Sequence, residues 1–340
     1  YDVTREVDLI EEVARRYGYE RFPEDERAWR PNTVPDHPLF QLEDDLRRLL
    51  TGRGFFEAQT PAFVPEAEGD LRLLNPLSTE EPVLRRTLLP SLIRRLERNL
   101  ARGVRDVRLF ELGTSFRGDA DREAEREATH LSLVFTGRRA PLHWTGAAEP
   151  FDLWDLKGVL EAVVEFVHPT ACIEPGALDY ATDHDRLNAQ RAFTVRLAEG
   201  QVVGHAGLIE AHALDVPAWA GEVFGLELTL PSHPAPGTDP GYVPLPAHPG
   251  VERDVALLVA DAVPAERIAA VARAAGGALL QSVVPFDVYT GEGLPAATRS
   301  MAWRFSFRAT DRTLTDAEVE AVMKAIVTEL DEQLDVRPRS

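Results

Sequence analysis

Residues 84–117 constrain the fold of this chain more than any other segment. Between Leu89 and Leu100, leucine and isoleucine recur at steps of three and four residues. This spacing predicts a helix with one apolar face and an arginine-rich opposite face. Gly103 is expected to turn the chain after the helix. An apolar strand over residues 107–110 then leads to Phe116-Arg117, so helix, turn and strand follow one another within a short stretch.

The composition is that of an ordinary globular protein with room for two or three domains. The chain has 340 residues, of which 44% are hydrophobic and 27% are charged. It contains no apolar run near the roughly 20 residues that a membrane span needs, and its start lacks the pattern of a signal peptide. Its single cysteine, Cys172, excludes an intramolecular disulfide framework and a cysteine-rich zinc site. We therefore expect a cytoplasmic protein with no membrane partner.

The net charge of −19 argues against nucleic-acid binding by the chain as a whole. Such binding needs Lys and Arg to replace the counterions of the phosphates. Because global charge says little about a local patch, any RNA contact must come from a confined basic face. The chain begins with Tyr1 rather than methionine, and we expect it to be a C-terminal fragment of a longer protein.

The middle of the chain alternates helices with strands. Apolar periodicity predicts helices over residues 39–53 and 155–167. Strands are expected over residues 55–64, 193–197, 202–209 and 223–230. Together these elements predict a mixed, largely antiparallel sheet.

The last ninety or so residues have a different order: strand, helix, two strands, helix and a short final strand. This βαββαβ order is typical of a ferredoxin-like layout, in which two helices cover one face of an open sheet. Thr315 and Glu318 form a capping box, which predicts that a helix begins at residue 316.

Residues 300–308 alternate between two faces of a predicted strand. The aromatic face, with Trp303 and Phe305, should meet the helices, which leaves Arg304 and Arg308 on the open face. Guanidinium groups on an open sheet suit single-stranded RNA, since Arg pairs with phosphate and stacks on bases. A solvated face that keeps the sheet soluble explains the same pattern equally well.

An acidic cluster lies near the N-terminus. Asp8, Glu11 and Glu12 are spaced so that their carboxylates converge on one face of a helix, and Asp2 precedes them. Carboxylate oxygens are the ligands that Mg²⁺ prefers in proteins. Acidic residues early in a helix also complement its dipole, so the pattern alone leaves both readings open.

The segment LRRTLLPSLIRRLERNLARGVRDVRLFELGTSFR resembles the centre of a class II aminoacyl-tRNA synthetase core, where a strand ending in Phe-Arg opens the ATP-binding hairpin. Further stretches resemble the beta subunits of bacterial phenylalanine–tRNA ligases, in the family's order: YDVTREVDLIEEVARRYGYERFP, RLLNPLSTEEPVLRRTLLP, FDLWDLKGVLEAVV, HPGVERDVALLV, FDVYTGEGLP and RTLTDAEV. The resemblance implies an α+β fold with a class II synthetase-like antiparallel core, followed by a ferredoxin-like βαββαβ domain.

The resemblance also implies domain boundaries. Residues 1–30 would hold the end of a small metal-site, DNA-binding-like domain and a linker. Residues 31–245 would form a catalytically inactive synthetase-like core, and residues 246–340 a ferredoxin-fold anticodon-binding domain. The helix over residues 39–53 and the following strand are similar to the class II interface motif, which implies packing against partner subunits.

No catalytic residue is expected on this chain. Amino-acid activation needs a positive clamp on the ATP phosphates, which class II enzymes supply through a Phe-Arg-x-Glu hairpin and a later glycine-rich motif with a second arginine. Here the first motif becomes Phe116-Arg117-Gly118-Asp119. Residues 224–230, where the second is expected, have no glycine ladder and no arginine.

Two binding sites follow from the resemblance. The family binds magnesium, at a site shared with the alpha subunit, through four acidic residues that correspond here to Asp2, Asp8, Glu11 and Glu12. Contact with the anticodon of tRNA-Phe is expected from Arg253, Tyr289, Arg304 and Arg308.

The implied function is support for ATP-dependent attachment of phenylalanine to tRNA-Phe, with ATP as a substrate of the complex and the active site on the alpha subunit. The implied assembly is a heterotetramer of two alpha and two beta subunits. No editing activity is expected, because the family's N-terminal modules have no counterpart here. Two rival hypotheses are a stand-alone RNA-binding or scaffold protein derived from a synthetase, and a class II ligase active alone.

Overall fold

The computed structural model describes residues 3–24, 36–118, 126–146, 148–176, 186–234, 242 and 245–339. The chain divides into two compact units, residues 1–237 and 238–340. The boundaries at residues 30 and 245 stay predictions. Within the described ranges, no helix is both long and apolar enough to cross a membrane.

The helices and strands are numbered in chain order. The helices are α1 Glu6–Tyr17, α2 Pro38–Gly52, α3 Leu89–Ala101, α4 Leu153–Val167, α5 Ala265–Gly276 and α6 Asp316–Leu334. The strands of the first unit are β1 Phe56–Glu57, β2 Phe63–Val64, β3 Gly69–Arg72, β4 Val83–Arg85, β5 Val107–Arg117, β6 Arg126–Thr136, β7 Cys172–Pro175, β8 Leu187–Arg196, β9 Val202–Ile209 and β10 Val223–Thr229. The strands of the second unit are β11 Val251–Ala260, β12 Leu280–Tyr289, β13 Thr298–Phe307 and β14 Arg337–Pro338.

A seven-stranded sheet forms the centre of the first unit, in the order β1-β5-β6-β10-β9-β8-β7. All neighbouring strands are antiparallel except β1 and β5. Apolar residues of α2 and α4 pack on one face of this sheet, together with Phe110 and Phe224. Those of α3 form a second cluster with Val107 and Val134, which point to the opposite face. The predicted α+β class with an antiparallel core is confirmed.

Helix α3 buries the predicted apolar residues Leu89, Leu92, Ile93, Leu96 and Leu100, each at most 2% exposed. The chain turns at Gly103, whose φ of +85° is a conformation that favours glycine. Strand β5 then continues to Arg117, well beyond the predicted residues 107–110.

The strand predicted over residues 55–64 is wrong in its extent. The segment instead contains two short strands, β1 in the seven-stranded sheet and β2 in a three-stranded sheet of order β2-β4-β3. Pro61 lies between them and has no N–H to donate to a ladder. The preceding backbone N–H, of Thr60, bonds to the Glu111 side chain instead. The chain therefore crosses from one sheet to the other.

The second unit has the strand order β12-β13-β11-β14, with all pairs antiparallel. Met301, Trp303, Phe305 and Phe307 are buried in one cluster with residues of α5 and α6. The Thr315 side chain and Glu318 cap α6 as predicted. The ferredoxin-like layout is confirmed.

Candidate functional site

A row of buried polar side chains crosses the central sheet on the face that α3 covers. The residues are register partners on five adjacent strands, β5, β6, β10, β9 and β8. Directly opposed residues of neighbouring strands lie on the same face of a sheet. None is more than 3% exposed, and in strand order they are Glu111, Ser132, Glu227, His205 and Thr194.

Glu111 is held by a buried ion pair. The Arg85 Nη1 atom lies 2.9 Å from Glu111 Oε1, and the two side chains are 6% and 3% exposed. Thr60 Oγ1 donates to Glu111 Oε2 at 2.7 Å, and Arg85 Nε donates to the Thr114 carbonyl at 3.0 Å. A Cβ atom on Gly113 would lie 2.5 Å from Arg85 Nη2. Any larger residue at position 113 would therefore displace this guanidinium from its place against β5.

Glu227 caps α3. Its Oε2 atom accepts hydrogen bonds from the backbone N–H groups of Leu88 at 3.0 Å and Leu89 at 2.8 Å. The amino end of a helix carries partial positive charge and free N–H groups, which makes it a natural anion site. Here the protein's own carboxylate occupies it.

His130 lies beside this row, with Nδ1 3.5 Å from Glu227 Oε1. Burial, followed by the positive charges of Arg117 and Arg85, lowers the pKa of His130 to about 4. Burial is the largest of these causes, because the charged imidazolium loses its hydration. His130 is therefore neutral at pH 7.

Acid should destabilise the fold through His130. In the unfolded chain its pKa is near the ordinary 6.5, while the folded chain resists protonation down to about pH 4. The unfolded state thus binds more protons between these values, and stability falls as the pH is lowered through this window. The expected loss is at most about 3 kcal/mol. His130→Gln should remove it, as measured by urea unfolding at pH 7 and 4.5.

The exposed His143 is the matched control, so His143→Gln should keep the wild-type pH dependence. Identical pH profiles for His130→Gln and the wild type would contradict the assignment.

The predicted metal ligands do not form one cluster in the described part of the chain. Asp2 lies outside the described ranges. Asp8 accepts hydrogen bonds from the backbone N–H groups of Thr4 and Arg5, at 3.0 and 2.8 Å, and these lower its pKa. Glu12 pairs with Arg15. No group of three or more candidate ligands occurs in the described part of the chain.

The open face of the second unit carries two arginine–aromatic contacts. Arg304 Cζ lies 5.3 Å from the ring centroid of Phe286, and Arg339 Cζ lies 5.4 Å from that of Tyr289. Arg304 also donates two hydrogen bonds to Asp254, at 2.9 and 2.8 Å. This pairing lowers the pKa of Asp254. The open face thus presents the aromatic rings of Phe286 and Tyr289, together with Arg304, whose charge is partly neutralised by Asp254.

The structure brings together two of the four residues predicted to contact the anticodon. Arg304 and Tyr289 share the open face. Residues of β12 and β13 alternate between the two faces of the sheet, and in the observed register both of these fall on the open side. Arg253 is opposite the buried Phe305, on the helix-covered face, and donates to Asp316 at 2.8 Å. Arg308 lies beyond β13, and its Nε atom is buried without a hydrogen-bond partner among the described residues.

Sequence reasoning missed the polar row, Phe286 and Arg339. The row takes one residue from each of five strands, so no local sequence pattern marks it. A β-bulge between Pro285 and Asp287 shifts the alternation of β12, which places Tyr289 on the open face. The aromatic residues of FDVYTGEGLP were the available signal.

Comparison with known proteins agrees with this architecture. Residues 27–230 match the family described as "Phenylalanyl tRNA synthetase beta chain CLM domain", and residues 246–339 match "Ferredoxin-fold anticodon binding domain". A phenylalanine–tRNA ligase beta subunit of Synechococcus sp. (strain JA-2-3B'a(2-13)) is 33% identical over 100% of this chain and 42% of its own length. Those of Moorella thermoacetica and Pseudomonas fluorescens are also 33% identical, over 98% and 100% of this chain and 42% and 43% of their own.

The chain therefore spans about two fifths of the length of the curated relatives it matches. Among solved structures, the pyrrolysyl tRNA synthetase PylSc of Desulfitobacterium hafniense aligns with a TM-score of 0.37 and 17% identity, over 56% of this chain and 66% of that one. The first family match alone covers more than half of the chain. The predicted resemblance is confirmed: this chain belongs to the phenylalanyl-tRNA synthetase beta chain family.

Proposed function

We propose that this chain is the C-terminal part of the beta subunit of a phenylalanine–tRNA ligase, and that it supports the ATP-dependent charging of tRNA-Phe in the cytoplasm. The observation that carries this proposal is the order of two matched families on one chain, a synthetase beta chain core followed by an anticodon-binding domain. Its partners are tRNA-Phe and an alpha subunit, in a heterotetramer of two alpha and two beta subunits.

The active site is assigned to the alpha subunit. On this chain, the α3 face of the central sheet holds the buried carboxylates of Glu111 and Glu227. The nearby Arg85 is already paired with Glu111, and Glu227 takes the amino end of α3. Buried negative charge here would oppose binding of ATP phosphates, which need a positive clamp. This supports a packing role for the core.

Reconstitution tests the proposal. The chain is mixed with a bacterial alpha subunit, ATP, Mg²⁺, phenylalanine and tRNA-Phe, and both assembly and charging are measured. We expect co-elution of the two chains and charging that the alpha subunit alone does not achieve. ATP–pyrophosphate exchange by the isolated chain would identify a ligase active alone. RNA binding without any association with the alpha subunit would instead support the stand-alone RNA-binding protein.

Magnesium is proposed to bind at Asp2, Asp8, Glu11 and Glu12, completed by the alpha subunit. Asp8 accepts a hydrogen bond from the backbone N–H of Arg5, and Glu12 pairs with Arg15, so a metal ion would share these carboxylates with their present partners. In the reconstituted complex, Asp8→Asn combined with Glu12→Gln should abolish the rise in melting temperature that Mg²⁺ produces. The control pair Glu6→Gln and Glu20→Gln, two exposed acids in or near α1, should retain that rise. An unchanged response of the first variant would refute the site.

A further inference from the structure

Four arginines form a basic strip on the outer side of α3 and the turn that follows it. The strip consists of Arg95, Arg98, Arg102 and Arg105. Positions 95, 98 and 102 are three and four residues apart, so they share one helix face. That face points away from the sheet, because the opposite one carries the buried leucines. Residues 94–108 hold six arginines and two acids, in a chain whose net charge is −19.

The strip is not neutralised by neighbouring acids. Arg94, which lies beside it, pairs with Glu68 at 2.7 Å. In contrast, Arg95, Arg98 and Arg102 form no ion pair with any described residue. The one acid within α3, Glu97, accepts a hydrogen bond from the backbone N–H of Asp215 at 2.8 Å. The positive charges of these three arginines are therefore not offset by an ion pair.

Arg105 is held by an aromatic ring rather than by a carboxylate. Its Cζ atom lies 4.9 Å from the ring centroid of Trp219. Stacking of this kind fixes the plane of a guanidinium and leaves its N–H edges free to bind oxygen atoms. The strip therefore ends in an oriented, charged donor group.

A structural explanation covers only part of the strip. Basic residues in the last turn of a helix complement its dipole, and this accounts for Arg98 and Arg102. It does not account for Arg95, one turn earlier, or for Arg105, which lies beyond the turn at Gly103. The extra charge points to a ligand.

The ligand that fits is a polyanion. A protein partner would be expected to meet an apolar centre within the contact, but the strip itself consists of guanidinium groups. Arg95 to Arg102 spans about 10 Å along the helix, and a nucleic-acid duplex presents about three phosphates per strand over that length. Unpaired arginines at this spacing suit a phosphate backbone.

We propose that the basic strip of α3 binds the phosphate backbone of tRNA, as a second RNA surface separate from the open sheet face of the second unit. The choice of tRNA as the RNA rests on the proposed function, whereas the preference for a polyanion rests on the strip itself. Backbone contacts carry no sequence readout, so the strip positions the RNA and strengthens binding.

The test compares two variants of the full chain with equal charge changes. The strip variant is Arg98→Gln, Arg102→Gln and Arg105→Gln. The control is Arg16→Gln, Arg267→Gln and Arg21→Gln, three exposed arginines of which Arg21 also stacks on an aromatic ring. Fluorescence anisotropy measures binding of a labelled tRNA-Phe transcript, and of its isolated anticodon stem–loop, over a range of salt concentrations.

We expect the strip variant to bind full-length tRNA-Phe about tenfold or more weakly, with a salt slope reduced by about two. Its affinity for the anticodon stem–loop should be unchanged, and the control variant should behave as the wild type. Arg→Lys at the same three positions should restore the salt slope, which separates charge from folding.

Equal affinities of the strip variant and the control for full-length tRNA would overturn the proposal. So would an equal loss on the stem–loop, since the strip would then not be a separate surface. If the open sheet face does not bind the anticodon, the result is different. Substitutions on that face would then leave stem–loop binding unchanged, while the strip variant would still bind full-length tRNA more weakly.

Discussion

Arg85→Ala is expected to lower the free energy of unfolding by about 3–5 kcal/mol, because it breaks a buried ion pair by removing one partner. The substitution leaves the Glu111 carboxylate buried, at 3% exposure, without its cation. It also removes donors from the Thr60 and Thr114 carbonyls. A buried charge without a partner costs far more than a surface pair gains. Urea unfolding of the full chain at pH 7 measures the effect.

Two further variants make this test specific. Arg85→Met combined with Glu111→Leu removes both charges and should recover most of the loss, because an apolar pair of similar volume needs no desolvation of ions. Arg72→Ala breaks an ion pair with Glu66 in which both side chains are more than half exposed, and should cost about 0–1 kcal/mol. A loss at Arg85 no larger than that at Arg72 would mean that water reaches the buried pair.

Replacement of both Phe286 and Tyr289 by alanine is expected to weaken binding of the anticodon stem–loop by about thirtyfold or more. Stacking of a base on an aromatic side chain contributes about 1–3 kcal/mol, and two such contacts multiply in affinity. The salt slope should stay the same, because no phosphate contact is lost. The control is Phe166→Ala with Tyr19→Ala, exposed aromatics of the first unit.

A substitution at Asp254 is expected to have the opposite effect on RNA binding. Its carboxylate holds Arg304 through two hydrogen bonds and would therefore compete with the phosphates of a bound RNA for the guanidinium. Asp254→Asn should therefore raise the affinity for the stem–loop and steepen its salt dependence, while Arg304→Gln should do the reverse. Weaker binding by Asp254→Asn would indicate that the pair holds Arg304 in position for RNA.

The sequence was sufficient to predict those features that depend on residues within a single helix or strand. The apolar face of α3 follows from the helical repeat alone, since residues three and four apart must share a face whatever the helix packs against. The capping box at Thr315 closes within one turn, and the alternation of residues 300–308 determines which side chains of β13 are buried. The family resemblance extended these local results to the whole chain.

Other features depended on contacts between distant residues. The strand predicted over residues 55–64 splits because Glu111, some fifty residues away, binds the Thr60 backbone. The polar row exists only through the registers of five strands that span residues 107–229. Tyr289 reaches the open face because a bulge shifts β12 against β13.

The amino-acid sequence by itself determined the apolar face of α3, the start of α6 and the ferredoxin-like order of elements, since each rests on interactions within a few residues. The tertiary structure alone decided that the carboxylates of Glu111 and Glu227 are buried on the α3 face of the central sheet. Strand register is set by the packing of whole layers, and a shift by one residue would turn each polar side chain to the other face.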